Sequence, residues 1–165
     1  MPAVVVDSSV LITLAAGEQF HLLRDFYSTI HIPPQVWNET TATPKAFGIQ
    51  EVRQARADGW IVVQSPQDVA RVSNLPFNLQ PGEAEALALA LELPGALILV
   101  DDAQGRKAAA ALGIAYTGTL GVLLRAKAEG KISALRPVLR LLAARTTFWL
   151  SPEVECAALK QAGEA

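Results

Sequence analysis

Five short apolar runs constrain this chain most: AVVV at residues 3–6, IHI at 30–32, WIVVQ at 60–64, LILV at 97–100 and IAYTG at 114–118. They are rich in β-branched residues and lack sustained polar alternation. Strands covered on both faces read this way, and a purely parallel sheet needs such cover. Helical segments fall between them, so the chain reads as an α/β three-layer sandwich. Its central parallel sheet of about four to five strands is flanked by helices. The 165 residues, 51% of them apolar, fit one domain over 1–165 with a sizeable core.

The helices follow from caps and stops. One is expected over 9–16, closed by Gly17, and another over 18–27 with Phe20, Leu23 and Phe26 at helical spacing. Pro33 or Pro34 suits the first turn of a helix carrying Val36, Trp37 and Glu39. A helix over 44–58 would stop at Gly59. GEAEALALALEL, at 82–93, is the strongest helix, built from Ala, Leu and Glu. Further helices are expected over 103–112, 119–129, 134–144 and 152–162. Residues 69–81, with NLPFNLQPG, read as loop.

The acids fall where chemistry would want them. In parallel α/β sheets ligands bind outside the carboxyl ends of the strands. Asp7 ends the first strand, and Asp101 and Asp102 end the run at 97–100. If those two strands are neighbours, three carboxylates meet on one rim. Glu83 opens the central helix, and Glu39 lies near the end of its own. Such a cluster repels itself in water and becomes favourable around a divalent cation; all-oxygen ligands suit Mg²⁺ or Mn²⁺. That metal can activate water and stabilise in-line displacement at phosphorus. His21 and His31 stand apart from these acids in sequence.

Each acid also has an ordinary reading. Asp7 is a good helix cap. Glu83 suits a helix dipole in the first turn. A lone Glu such as Glu39 belongs by default to the surface, and Glu85 and Glu92 are read as surface residues. Asp101 and Asp102 resist this best, because only one can cap the following helix. The functional reading therefore rests on the set.

Composition excludes several classes. Net charge is −2, which does not announce a nucleic-acid binder. Arg136, Arg140 and Arg145 could form a local basic patch but read first as a solvated helix face. Cys156 is the sole cysteine, so no internal disulfide or cysteine-rich zinc site is possible; it reads as a small buried hydrophobe. Trp37, Trp60 and Trp149 read as core residues. No basic leader or long apolar span is seen, so a cytoplasmic protein without a membrane segment is expected.

The ordered motifs VVVDSSVLITLA, IPPQVWNETT, GEAEALALALEL and LILVDDAQGRKAAAALGIAYTGTLGVLLRAKAEGKI resemble the PIN-domain family, within it a prokaryotic subfamily of nucleases. The likeness runs from Val4 to about Gly163. It implies an Mg²⁺- or Mn²⁺-dependent endoribonuclease hydrolysing RNA phosphodiester bonds, as in toxins of VapC-type toxin–antitoxin pairs. It also implies a small antitoxin protein as partner and a homodimer, for which the Leu-rich segment LRPVLRLLAA offers either an interface or a core helix. By resemblance Asp7, Glu39, Glu83, Asp101 and Asp102 are the catalytic acids. Asp7, Glu83, Asp101 and Asp102 would hold metal, with Asp101 favoured over Asp102 as nearer the strand end. Ser8, Ser9, Arg106 and Thr117 would contact an acid or the phosphate. Thr119 reads first as a helix cap. Many PIN proteins have a single acid where this chain has two.

Two other readings compete. A phosphatase of haloacid dehalogenase type would carry D-x-D where this chain has DSSV, and a receiver-like domain would carry a lysine where it has TGTL. An inactive RNA- or protein-binding module would lack the acids, which are present. An RNA-processing nuclease without a toxin role remains compatible with the residues.

Overall fold

A computed structural model describes residues 2–42 and 47–165. The strands are β1 (Val4–Val6), β2 (Ile30–Ile32), β3 (Ile61–Val63), β4 (Leu97–Leu99) and β5 (Ala115–Thr117). They form one parallel sheet in the order β3-β2-β1-β4-β5. Ten helices among the described residues flank it, giving a three-layer α/β sandwich. They are α1 (Ser8–Ala16), α2 (His21–Tyr27), α3 (Pro34–Thr41), α4 (Ile49–Ala57), α5 (Ala70–Ser73), α6 (Pro81–Glu92), α7 (Ala103–Ala111), α8 (Thr119–Ala128), α9 (Leu135–Arg145) and α10 (Pro152–Gln161).

The strand order explains the composition of each run. Central β1 is buried at all three positions, whereas edge strands β3 and β5 expose Val62 and Tyr116. Val5 pairs with Ile98 on one side and His31 on the other. Val5, Val6, Ile98 and Leu99 are fully enclosed; truncating a side chain such as Leu99 to Ala would cost about 2–5 kcal/mol. Helix α6 lies on β1 and β4 and buries Ala86, Leu87, Ala88, Leu89 and Ala90. Its small Ala positions allow close approach to the sheet and to α3.

Most expected elements form. Helix α4 begins at Ile49, after Gly48 adopts φ 93°, a left-handed conformation natural to glycine. The beginning of the expected 44–58 helix lies partly outside the described residues. Within 69–81, a short helix, α5, forms over Ala70–Ser73 and packs against α6. Helix α9 turns Leu135, Val138, Leu139 and Leu142 into the core, so that apolar stripe serves packing within the chain.

Three expectations are corrected. Cys156 is exposed, because α10 docks through Ala158 and Leu159 on its other side. Trp60 is buried and Trp37 half-buried, but Trp149 is 75% exposed in the segment between α9 and α10. Glu85 is half-buried: its Oε2 accepts the Gln35 N–H at 3.0 Å, satisfying the start of α3. No helix among the described residues is long and apolar enough to cross a membrane.

Candidate active site

The chain turns from β3 across to the far side of β1, so β1 and β4 flank the point where strand order reverses. Open α/β sheets bind ligands in that crevice. In-register pairing of Val4, Val5 and Val6 with Leu97, Ile98 and Leu99 brings the ends of both strands to one level. The Asp7 N–H extends the ladder to Leu99 O at 3.0 Å. A cleft of about 310 Å³ opens there, lined by Asp7, Ser8, Ser9, Glu39, Gln80, Glu83 and Asp102.

Asp7 occupies the N-cap position of α1, yet its side chain makes no cap hydrogen bond. The carboxyl is buried, at 3% exposure, and Oδ1 has no hydrogen-bond partner. Ser9 Oγ donates to Oδ2 at 3.2 Å. Burial pushes the Asp7 carboxyl up to about 7; the Glu83 and Glu39 charges add to this, and the Ser8 N–H and Ser9 hydroxyl oppose it.

Glu83 performs its expected helical role and keeps an oxygen over. Oε1 accepts the Gln80 N–H at 3.0 Å as half of a capping box. Oε2 is buried without a partner. Burial raises this carboxyl above the usual range. The Gln80 N–H opposes the rise; the nearby Asp102 and Glu39 carboxylates reinforce it. Glu39, by contrast, is saturated with donors: Ser8 Oγ at 2.7 Å on Oε2, and the Gly82 N–H at 3.1 Å and Gln35 Nε2 at 3.3 Å on Oε1.

The two adjacent aspartates part company. Asp102 is the N-cap of α7 and accepts the Gln104 and Gly105 N–H groups on Oδ1, at 2.8 and 3.2 Å. It faces Glu83 across the cleft. Asp101 turns toward α8 instead, where the Thr119 N–H donates to Oδ1 at 2.8 Å and Thr119 Oγ1 to Oδ2 at 2.6 Å. The two carboxylates thus meet different neighbours: Asp102 lines the acid cleft with Asp7 and Glu83, and Asp101 is held at the start of α8. The Thr119 hydroxyl serves Asp101 rather than its own helix.

Arg106 makes no ion pair with an acid among the described residues; its Nε donates to Val100 O at 3.1 Å. Thr117 ends β5 with its hydroxyl against Gly121, away from the acid cleft. Neither His21 nor His31 lines the cleft. Sequence reasoning missed Gln35, Gln80 and two glycines. A Cβ on Gly82 would collide with the Glu39 carboxylate, and one on Gly105 would stand 2.8 Å from Glu83 Oε2. A glycine in the first turn of a helix beside an acid was the available signal.

Among the described residues, no three His, Cys, Asp or Glu side chains form a ready metal-ligand set as they lie; like-charge repulsion favours their standing apart. The donors nevertheless fit a hard divalent cation. Asp7 Oδ1 and Glu83 Oε2 are buried acceptors without donors, in surroundings that offer only oxygen ligands. Asp7, Glu83 and Asp102 would hold the ion, with Glu39 and Ser9 positioning the set.

The structure is thus a parallel α/β domain with carboxylates lining a cleft at its β1–β4 switch point. The match to a family model narrows the class: residues 3–164 match the model described as PIN domain, so the chain belongs to the PIN-domain family. PIN domains are generally nucleases and typically use divalent metals. No curated protein matches the chain.

Proposed function

We propose that this protein is a divalent-metal-dependent endoribonuclease that hydrolyses RNA phosphodiester bonds. One observation carries the reading: two buried carboxylates, Asp7 and Glu83, each present an oxygen without a donor in one cleft. Leaving such groups unsatisfied costs about 1–3 kcal/mol each or more when charged, a cost that makes sense where a cation is to be bound. When bound, Mg²⁺ or Mn²⁺ supplies activation of water and neutralisation of charge at the phosphoryl group. The chain's own residues do the rest. Ser9 fixes the Asp7 carboxyl; Ser8, Gln35 and the Gly82 N–H fix Glu39; the α7 cap fixes Asp102. The Arg106 guanidinium offers donors to the phosphate.

We further propose a role as the toxin of a toxin–antitoxin pair, with a small antitoxin protein as partner, in the cytoplasm and as a homodimer, following the resemblance of its motifs to VapC-type toxins. The test pairs binding with chemistry. Mn²⁺ should raise the Tm of the wild type and allow it to cleave a panel of total RNA and tRNA. Asp7→Asn should lose both effects, and induced expression should arrest growth for the wild type alone. A wild type whose Tm ignores Mn²⁺ and which cleaves nothing would sink the nuclease reading. Cleavage without growth arrest would remove only the toxin role.

A further inference from the structure

Trp149 is the most exposed of the large apolar side chains among the described residues, at 75%. Indole surface left in water is unfavourable unless something covers it, and Trp is among the residues most often engaged by partners. Its position decides what that something is. Trp149 lines a recess of about 600 Å³ together with Ser9, Asp101, Asp102 and Arg106. Ser9 and Asp102 also line the acid cleft. The indole and the acids therefore belong to one continuous depression.

Adjoining it through Ser9, Thr13 and Thr147 lies a second recess, of about 400 Å³, lined also by Phe47 and Arg145. Arg145 is anchored by its Nη1 to Ala16 O at 3.0 Å, and its guanidinium stands 5.8 Å over the Phe47 ring. Thus an aromatic–arginine pair, and a second aromatic in the recess that Arg106 also lines, occupy adjoining recesses beside the acids. Of the three arginines that suggested a basic patch, Arg145 lines the recess beside Phe47, and Arg140 lines a hollow that also takes in Trp149 and Glu155. Arg136 is bound to Glu164.

We propose that Trp149 is a base-stacking residue that seats an unpaired RNA nucleotide beside the acid cleft, with Arg106 meeting its phosphate and Phe47 and Arg145 holding the strand in the adjoining recess. The inference rests on the nuclease reading and names the form of RNA that the site accepts. Charge supports it. A chain of net charge −2 with an acidic centre gains little from bulk electrostatics. Affinity must then come from local arginines and from stacking, which is tolerant of base identity and needs splayed, single-stranded bases. A duplex keeps its bases stacked on one another and cannot present them to the indole.

The experiment uses the full chain carrying Asp7→Asn, in Mg²⁺, with a 5′-labelled mixed-sequence oligoribonucleotide read by fluorescence anisotropy. Trp149→Ala in that background should weaken binding of the single strand about 5- to 150-fold, the range of one stacked base. Trp149→Phe should restore most of it, and the same sequence as a duplex should bind weakly to all three. Equal affinity of the Trp149→Ala variant and its parent overturns the proposal, and so does a preference for the duplex. Mn²⁺-dependent cleavage and Tm shift of the wild type, scored in parallel, report the nuclease reading separately. If those hold while Trp149→Ala changes nothing, the platform alone is wrong and the indole belongs to another contact.

Discussion

The Glu39 carboxylate rests on the backbone of Gly82: the Gly82 N–H donates to Oε1 at 3.1 Å, and a side chain at position 82 would occupy the space that both oxygens fill. Helix propensity argues for alanine at such a position, by roughly 0.5–1 kcal/mol. Displacing Glu39 breaks hydrogen bonds worth about 0.5–1.5 kcal/mol each, so Gly82→Ala should lower Tm by no more than a few degrees, while metal-dependent cleavage falls at least about tenfold, the effect of misplacing a group by about an ångström. Circular dichroism with heating and a timed cleavage assay check the two halves. Retained activity would mean that Glu39 moves without consequence.

Asp7 sets a pH dependence on the metal-free fold. Its folded pKa, about 7, lies above the ordinary 3.8. The folded state therefore holds the proton more tightly than the unfolded chain does. That contribution is fully present below pH 3.8 and is lost as pH rises through about 7. Three pH units at 1.36 kcal/mol each put the loss on the order of 4 kcal/mol as an upper bound. Asp7→Asn should remove this slope and be more stable than wild type at pH 8 in chelator. Added Mn²⁺ should narrow or reverse the difference. Urea unfolding across pH 4–8 reads it directly; parallel curves for the two proteins would contradict the assignment.

The neighbouring aspartates should separate cleanly. Asn caps helices about as well as Asp, so Asp102→Asn keeps the Gln104 and Gly105 bonds, removes the charge facing Glu83, and should abolish cleavage with little loss of stability. Asp101→Ala strands the hydroxyl of Thr119, which is fully buried, and should cost about 1–3 kcal/mol. Denaturant midpoints and cleavage rates for both variants test the division. A reversed pattern would return the metal site to Asp101.

Much of this was legible because local signals agreed. The run LILV ended by two acids, and the Ala-Leu-Glu helix opened by Glu83, each announce an element and a chemistry at once. The pairing of β1 with β4 was not readable, because it joins segments some ninety residues apart (Val5 and Ile98). Nor were the different surroundings of Asp101 and Asp102, which depend on which neighbour each side chain meets. Trp149 and Cys156 were misjudged for a shared reason. Hydrophobic character says that a residue can be buried, but the docking of a short connecting segment or of the last helix decides whether it is.

The β1–β4 pair also orders events in time. Asp7, Glu39 and Glu83 all precede Leu97, but the crevice that unites them has no second wall until β4 has been made and has zipped onto β1. A nascent chain that stops short of residue 102 carries the acids as unconnected groups. On the reading proposed here, the growing polypeptide is harmless to RNA until its last acid has been made and its central strand pair is in place.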